Sequence, residues 1–331
     1  MTRVTIKTIA EEVGVTHGTV SRALRGDSRV RSETAEAVQE AAERLGYRPS
    51  RSARALRTRR TGNLAIVVSY VHDPFYSEVV QAIHDRLFPL HYNLFMAATE
   101  FDLERQAEVA RTLGEELVDG AFVCCLPGMT PPFQKLAQTV PLVTINCDPT
   151  IYPYGVVHQD REAMRLCYQY LLERGHRKIG YLGAVNGGNA ERARRGAFTD
   201  AAAGMAVPAL MRSAEDVKVE AGEAAMRTWL DQGVNDMTAL ICFNDTVAIG
   251  AMKACAEAGV KVPEELSVVG FDDIEMASYV RPALTTFSQP RYEMGRAATE
   301  MMMALLAGKS PPAPARFLGK LVERESVANA I

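Results

Sequence analysis

The sequence predicts an α/β protein in which a small helical head precedes two lobes of doubly wound parallel sheet. Apolar residues recur at helical spacing between residues 4 and 46. From residue 62 onward, continuous apolar runs alternate with helical stretches, and the same alternation occurs again in the second half of the chain. With 331 residues, 47% of them hydrophobic, the chain can bury enough surface for two or three domains.

Three short helices make up the predicted head. The first begins after Thr5 as N-cap, ends at Gly14 and carries an apolar stripe at helical spacing: Ile6, Ile9, Ala10 and Val13. Thr16 caps a second helix over residues 16–24, and a third helix runs from about residue 32 to residue 46. Two short helices joined by a glycine turn, with a third that closes the core, predict a helix-turn-helix domain.

The second helix exposes polar residues and has only two large apolar anchors, Val20 and Leu24. Its exposed side carries His17, Gly18, Thr19, Ser21 and Arg22. This composition suits contact with a polar partner, and an ordinary solvated helix face is the alternative.

Charge is distributed unevenly along the chain. The whole sequence holds 37 Lys and Arg against 40 Asp and Glu, but residues 1–60 hold 13 of the basic and only 7 of the acidic residues. Residues 48–60, RPSRSARALRTRR, contain six arginines and no acidic residue. Because the guanidinium group suits bidentate contact with phosphate, this pattern predicts a polyanionic partner for the head. A solvated linker is the alternative for this segment.

Beyond the head, apolar runs indicate buried strands: NLAIVVS, YNLFMAA, DGAFVCCLP, PLVTINC, KIGYLGA, TALICFND and LSVVGFDD. Helical stretches lie between them, near residues 76–90, 103–117, 161–174, 191–203, 220–232 and 246–258. This alternation predicts parallel sheets covered on both faces. Its two blocks predict two similar lobes.

Two segments, VTIKTIAEEVGVTHGTVSRALRG (4–26) and VRSETAEAVQEAAERLGYRPSRSARALRTRRTGNLAIVV (30–68), resemble the lac-repressor (LacI/GalR) family of bacterial transcription regulators. The resemblance extends over essentially the whole chain. It implies a helix-turn-helix DNA-binding domain over residues 1–48 and a hinge helix with linker over 49–61. A two-lobed, periplasmic-binding-protein-like core follows, with 62–158 and 291–318 in the first lobe and 159–290 and 319–331 in the second.

The resemblance also implies roles at the DNA. The second helix would lie in the major groove, where His17, Gly18 and Arg22 would meet base edges, and an arginine can bond both guanine acceptors. The phosphate anchors would be Thr5, Thr16, Thr19, Ser21 and Tyr47. The hinge contacts would be Ser50, Ala53 and Leu56, and Leu56 would wedge into the minor groove and kink the duplex.

Between the lobes we expect a ligand cleft, because strand ends of doubly wound sheets face such a crevice. The candidate effector-binding residues are Asp73, Phe75, Tyr76, Asn146, Arg194, Asn244 and Asp272. The resemblance implies that Arg194, Asn244 and Asp272 hold effector hydroxyls, and turn or helix capping is the alternative for each. Val217 stands where several sugar- and purine-binding members have an aromatic residue, so a small sugar, a phosphorylated sugar and a polyol all remain open.

The predicted function is that of a transcriptional repressor that binds a palindromic operator as a homodimer and responds to a sugar or sugar derivative. The alternatives are a constitutive DNA-binding regulator and a sensor of a non-sugar metabolite.

A solute receptor would need an export signal, and no motif supports an enzyme. The histidines lack metal-ligand spacing, so we expect no metal and no cofactor. Buried thiols and the lack of a long apolar segment predict a cytoplasmic protein with no membrane contact.

Overall fold

The structure, a computed structural model, describes residues 4–47, 60–115, 117–124, 131–147, 152–207, 209–233 and 237–330. The roles predicted for Ser50, Ala53 and Leu56 fall on residues outside these ranges. The chain divides into two units, Met1–Thr61 and Gly62–Ile331.

The described part of the first unit contains helices α1 (Ile6–Val13), α2 (His17–Ala23) and α3 (Ser32–Arg44). α1 begins where the Thr5 hydroxyl accepts a backbone hydrogen bond from the first turn, and it ends where Gly14 adopts a left-handed conformation with φ of 72°. The three helices enclose a core around Ile9, Val20 and Val38, none of which is exposed. The predicted helix-turn-helix head is confirmed.

The second unit contains two six-stranded sheets. The first sheet comprises β1 (Asn63–Val68), β2 (Asn93–Ala98), β3 (Gly120–Cys124), β4 (Leu142–Ile145), β5 (Gly155–His158) and β11 (Ala315–Phe317). Its order is β11-β5-β4-β3-β1-β2 and its pairings are parallel. Helices α4 (Phe75–Leu87) and α11 (Arg291–Leu306) pack on one face, whereas α5 (Leu103–Gly114) and α6 (Pro131–Leu136) pack on the other. We call this sheet with its helices the first lobe.

The second sheet comprises β6 (Ile179–Ala184), β7 (Leu210–Ala214), β8 (Ala239–Cys242), β9 (Ser267–Asp272), β10 (Thr285–Ser288) and β12 (Lys320–Val322). Its order is β12-β10-β9-β8-β6-β7, and only β12 pairs antiparallel within this described sheet. Helices α7 (Asp160–Glu173) and α8 (Gly188–Gly204) cover one face, and α9 (Val219–Asp231) and α10 (Asp245–Glu257) cover the other. These elements form the second lobe.

The fold class predicted from the apolar runs is confirmed, although several short elements carry no such run. Strands β5 (GVVH), β7 (LMRSA) and β10 (TTFS) each include glycine or polar residues, so no continuous apolar run marks them. The chain passes between the two sheets after β5, after β10 and after β11. None of the described helices is long and apolar enough to cross a membrane.

Candidate functional site

The polar side of α2 is accessible in the head. Thr16, His17 and Gly18 are exposed, and Arg22 is partly exposed. The Nε of Arg22 donates to the carbonyl oxygen of Gly18 at 3.2 Å, so the guanidinium lies along the helix surface. Because this hydrogen bond lies at the surface and can be replaced by another, the Arg22 side chain is available to an external acceptor.

The hydroxyls predicted to anchor phosphates also shape the head. Thr16 caps α2 by accepting the amide hydrogen of Thr19, and the two threonine hydroxyls lie 3.0 Å apart. Ser21 accepts a hydrogen bond from Arg25 at 2.7 Å. One of the two threonine hydroxyls donates to the other, whereas the remaining threonine hydroxyl and Ser21 still have a proton to donate to a phosphate. Tyr47 is partly buried against the helical core.

In the second unit, all seven residues predicted for the effector line one cavity between the lobes. Asp73, Phe75, Tyr76 and Asn146 come from the first lobe, and the other three come from the second: Arg194, Asn244 and Asp272. They meet because Asn146 follows β4, Asn244 follows β8 and Asp272 ends β9, which brings together the carboxyl ends of parallel strands. The cavity volume is about 50 Å³, room for one or two waters.

Arg194 is the buried centre of a charge network in this cleft. Its Nε donates to a carboxylate oxygen of Asp160 at 2.8 Å, and another of its nitrogens donates to the carbonyl oxygen of Phe243. Burial opposes the charged form, but the carboxylates of Asp160 and Asp272 outweigh it and raise the pKa of Arg194. Arg194 is thus held rigidly and keeps its charge.

Asp73 and Asp272 face the cavity from opposite lobes. One Asp272 oxygen accepts a hydrogen bond from the Gln289 amide at 2.6 Å, and one Asp73 oxygen accepts the Phe75 amide hydrogen at 3.0 Å. Desolvation raises the pKa of Asp73 to about 6. Desolvation, followed by the negative charge of Asp73, raises the pKa of Asp272 to about 7. Both carboxyl groups therefore titrate closer to neutral pH than an exposed aspartate does.

The two predicted amide side chains hold backbone in place. Asn244 caps α10, because its side-chain oxygen accepts the Val247 amide hydrogen at 2.9 Å and its nitrogen donates to the carbonyl oxygen of Val217 at 3.2 Å. Asn146 accepts the His158 amide hydrogen at 3.0 Å. For Asn244 the structure shows the capping role that the sequence left open as an alternative.

Several residues that line the cavity were not predicted from the sequence. Gln289 follows β10, Ser69 follows β1, and Phe243 immediately precedes Asn244. Phe243 supplies an aromatic face in the second lobe, where Val217 does not. All three lie just after the end of a strand, and that position is the sequence signal that could have identified them.

Larger cavities lie elsewhere in the second unit. One of about 500 Å³ is lined by α6 and the residues around β4, away from the strand ends that form the cleft. Another, of about 360 Å³, shares Asn146 with the cleft and is lined by Asp160, Arg192 and Arg316. Neither gathers the polar and aromatic residues that the interlobe cavity does, so we take the smaller one as the candidate site.

Comparison with known proteins identifies the family. Residues 5–50 match the bacterial regulatory proteins of the lacI family, and residues 168–327 match a periplasmic binding protein-like domain. The chain is 30% identical to the HTH-type transcriptional repressor PurR of Yersinia pestis (strain Pestoides F) over 98% of this chain and 97% of the relative.

Solved structures agree on the fold. The lac repressor dimer bound to operator and the anti-inducer ONPF matches with a TM-score of 0.89 and 24% identity, over 99% of this chain and 100% of that chain. A complex of the transcriptional regulator CelR with cellobiose matches with a TM-score of 0.74 and 27% identity, over 98% and 100%. The family resemblance is confirmed: the chain belongs to the lacI family of bacterial regulatory proteins and is a repressor-like, DNA-binding transcriptional regulator.

Proposed function

We propose that this regulator binds a palindromic operator as a homodimer and is controlled by a small ligand, a sugar or sugar derivative, held between its lobes. The observation that carries the proposal is the cavity itself, because carboxylate, guanidinium and aromatic side chains from both lobes converge on it. A ligand that contacts both lobes biases their relative position, which is how binding in a cleft reaches a distant surface.

At the DNA, α2 would enter the major groove with His17, Gly18 and Arg22 toward the bases. The exposure of this helix face supports the assignment, as does the match of residues 5–50 to the family. Thr5, Thr16, Thr19, Ser21 and Tyr47 would hold phosphates. Ser50, Ala53 and Leu56 would contact the minor groove, and Leu56→Ala would reduce both operator affinity and DNA bending.

The homodimer is supported by apolar side chains exposed on one edge of the first lobe. β2 is the edge strand of its sheet, and its Phe95 and Met96 are 55% and 41% exposed. The preceding segment exposes Phe88 and Leu90. An edge strand that carries exposed apolar residues is a site for pairing with another chain. A lac repressor of similar fold was solved as a dimer, so a second copy of this chain is the occupant we propose.

Ligand entry would require the lobes to separate, because a cavity of about 50 Å³ is smaller than a sugar ring. Ligand and operator would then be coupled through the lobe positions. Coupling free energies of this kind are about 1–3 kcal/mol and act equally in both directions. The geometry is compatible with a ligand that releases DNA and with one that promotes its binding.

A constitutive DNA-binding regulator is the second candidate function, and the small cavity volume favours it. Against it stands the convergence of charged and aromatic side chains from both lobes on this one cavity.

The test begins by selecting operators from randomised duplexes with the purified full-length chain. Operator affinity is then measured by fluorescence anisotropy with sugars, amino sugars, sugar phosphates, polyols and nucleobases. An active ligand should shift the affinity of the wild type and of the surface variant Asp200→Ala by about 5- to 150-fold, and Asp272→Ala should abolish the shift. A selected palindrome with no response to any ligand would favour the constitutive regulator, and failure to select a palindrome would contradict the operator proposal.

A further inference from the structure

The charged groups in and around the interlobe cavity are unequally paired. Arg194 pairs with Asp160 at 2.8 Å, Arg291 with Glu78 at 2.8 Å and Lys218 with Asp216 at 3.3 Å. In contrast, the closest cationic nitrogen to an Asp272 oxygen belongs to Arg194 at 3.9 Å, beyond hydrogen-bond distance. Among the described residues, Asp73 has no ion pair at all. Two carboxylates therefore face the cavity with no cation at hydrogen-bond distance.

The hydrogen-bonding groups around the cavity also differ in whether they already have partners. The Nε and one terminal nitrogen of Arg194 donate to protein carboxylate and carbonyl oxygens, and the amide nitrogen of Asn244 donates to a backbone carbonyl. The side-chain oxygens of Gln289 and Ser69 are buried with no partner among the residues that the structure describes. The Gln289 oxygen and the carboxylate oxygens of Asp73 and Asp272 accept but cannot donate while the carboxylates are charged, so a complementary ligand must bring N–H or O–H groups to them.

We propose that the effector carries a cationic amine on a polyhydroxylated scaffold, as an amino sugar does, and that the ammonium group binds between Asp73 and Asp272. This inference rests on the proposed function, since it names the ligand class of the same cleft. An ammonium group has three donors and no acceptor, so it satisfies both carboxylates at once. Phe75, Tyr76 and Phe243 line the same cavity and offer ring faces that attract a cation.

The same lining rejects anionic ligands. A phosphate or carboxylate group would meet Asp73 and Asp272 at close range, with each nearby cation already bound to another carboxylate. Burial raises the pKa of both aspartates, to about 6 and about 7, because a negative charge is unfavourable in this desolvated environment. The phosphorylated sugar that the sequence left open is therefore the least complementary candidate.

The test uses matched sets of compounds that differ in charge on one scaffold. Glucosamine, glucose and glucose 6-phosphate form one set, and the galactose and mannose series form two more. Binding to the full-length chain is measured by isothermal titration calorimetry. In at least one set the amine should bind about tenfold more tightly than the hydroxyl compound, and the phosphate should not bind. Asp73→Asn should remove most of this preference for the amine, because it removes one of the two charges.

A surface aspartate provides the matched control. Asp200 is 69% exposed and pairs with Arg161 outside the cleft, so Asp200→Asn should leave the preference unchanged. If a hydroxyl compound or a phosphate binds best in its set, the amine assignment is wrong and the effector function stands. If no compound of any set binds at millimolar concentration, the proposed effector function itself is contradicted.

Discussion

The phenol oxygen of Tyr70 lies 2.8 Å from a carboxylate oxygen of Asp216, and this hydrogen bond joins the two lobes. Tyr70 follows β1 in the first lobe, whereas Asp216 lies between β7 and α9 in the second. Lys218 strengthens the contact, because its ammonium group lies 3.3 Å from Asp216 and 4.1 Å from the centre of the Tyr70 ring. Desolvation and Asp216 raise the pKa of Tyr70 to about 12, so the phenol remains a donor at neutral pH.

Removing this interlobe bond should favour the open cleft. Tyr70→Phe deletes the hydroxyl, and a hydrogen bond of this kind contributes about 0.5–1.5 kcal/mol. We expect faster hydrogen exchange at the amides of Phe101 and Val217, which border the cavity. Tyr292→Phe is the control, because its hydroxyl bonds Asp85 at 3.0 Å within the first lobe. Equal changes in the two variants would contradict a role in lobe closure.

The cleft carboxyls should make the free protein more stable in acid. Their folded pKa values, about 6 for Asp73 and about 7 for Asp272, lie above the ordinary 3.8. The folded state therefore binds more protons, and this contribution to stability is complete below pH 4 and is lost as pH rises through 6 to 7. Asp272→Asn should stabilise the protein by on the order of 1–3 kcal/mol at pH 8 and have little effect at pH 4. Thermal unfolding across this range checks the prediction, and a larger gain at pH 4 would contradict it.

The buried Arg194–Asp160 pair should be essential to the second lobe. Arg194→Ala leaves the Asp160 carboxylate buried without its main cation, a change that costs about 3–5 kcal/mol. Arg161→Ala removes a partner of Asp200 from an exposed pair, where the expected loss is below about 1 kcal/mol. Urea unfolding monitored by Trp229 fluorescence compares the two variants. Similar losses would show that Arg194 contributes no more than a surface arginine.

A substitution at Gly18 should affect the stability of the head and its recognition of DNA in opposite directions. A methyl group added at this position would meet only the Thr16 hydroxyl, at 3.7 Å, so Gly18→Ala fits the helix and should stabilise it by up to about 1 kcal/mol. If the glycine permits close approach to a base, the same variant should lose about tenfold in operator affinity and none in nonspecific DNA affinity. Gel shift with operator and random duplex measures both, and unchanged operator affinity would show that the position does not touch a base.

The exposed edge of β2 should hold the homodimer. Phe95→Lys places a charge on this edge and should shift the protein to monomer at micromolar concentration, as charged residues protect sheet edges from pairing. Leu103→Lys is the matched control, because Leu103 on α5 is also an exposed apolar residue, at 68% against 55% for Phe95. Sedimentation velocity distinguishes the two, and a dimer that persists in Phe95→Lys would contradict the proposed interface.

Many helix ends and strands of this protein could be predicted from its sequence, because they depend on interactions between residues close together in the chain. Thr5, Gly14 and Thr16 mark helix ends through hydrogen bonds and backbone conformations confined to a few neighbouring residues. Buried parallel strands leave continuous apolar runs, so the strands that position Asn146, Asn244 and Asp272 could be placed in advance. Strands such as β5 (GVVH) and β7 (LMRSA) were missed because each has only two large apolar residues in succession, which leaves no such run.

The sequence by itself therefore determined the family, the helix-turn-helix head, the alternation of strands and helices, and the strand ends that form the cleft. Only the tertiary structure decided which polar groups are already engaged. Arg194 meets Asp160 and the carbonyl of Phe243, Asn244 caps a helix, and Gln289 joins Asp272. These pairings connect residues 17 to 49 positions apart in most cases, and hydrogen bonds depend on ångström-scale geometry that spacing along the chain does not encode. The lack of a close cation at Asp73 and Asp272 is therefore a property of the folded protein.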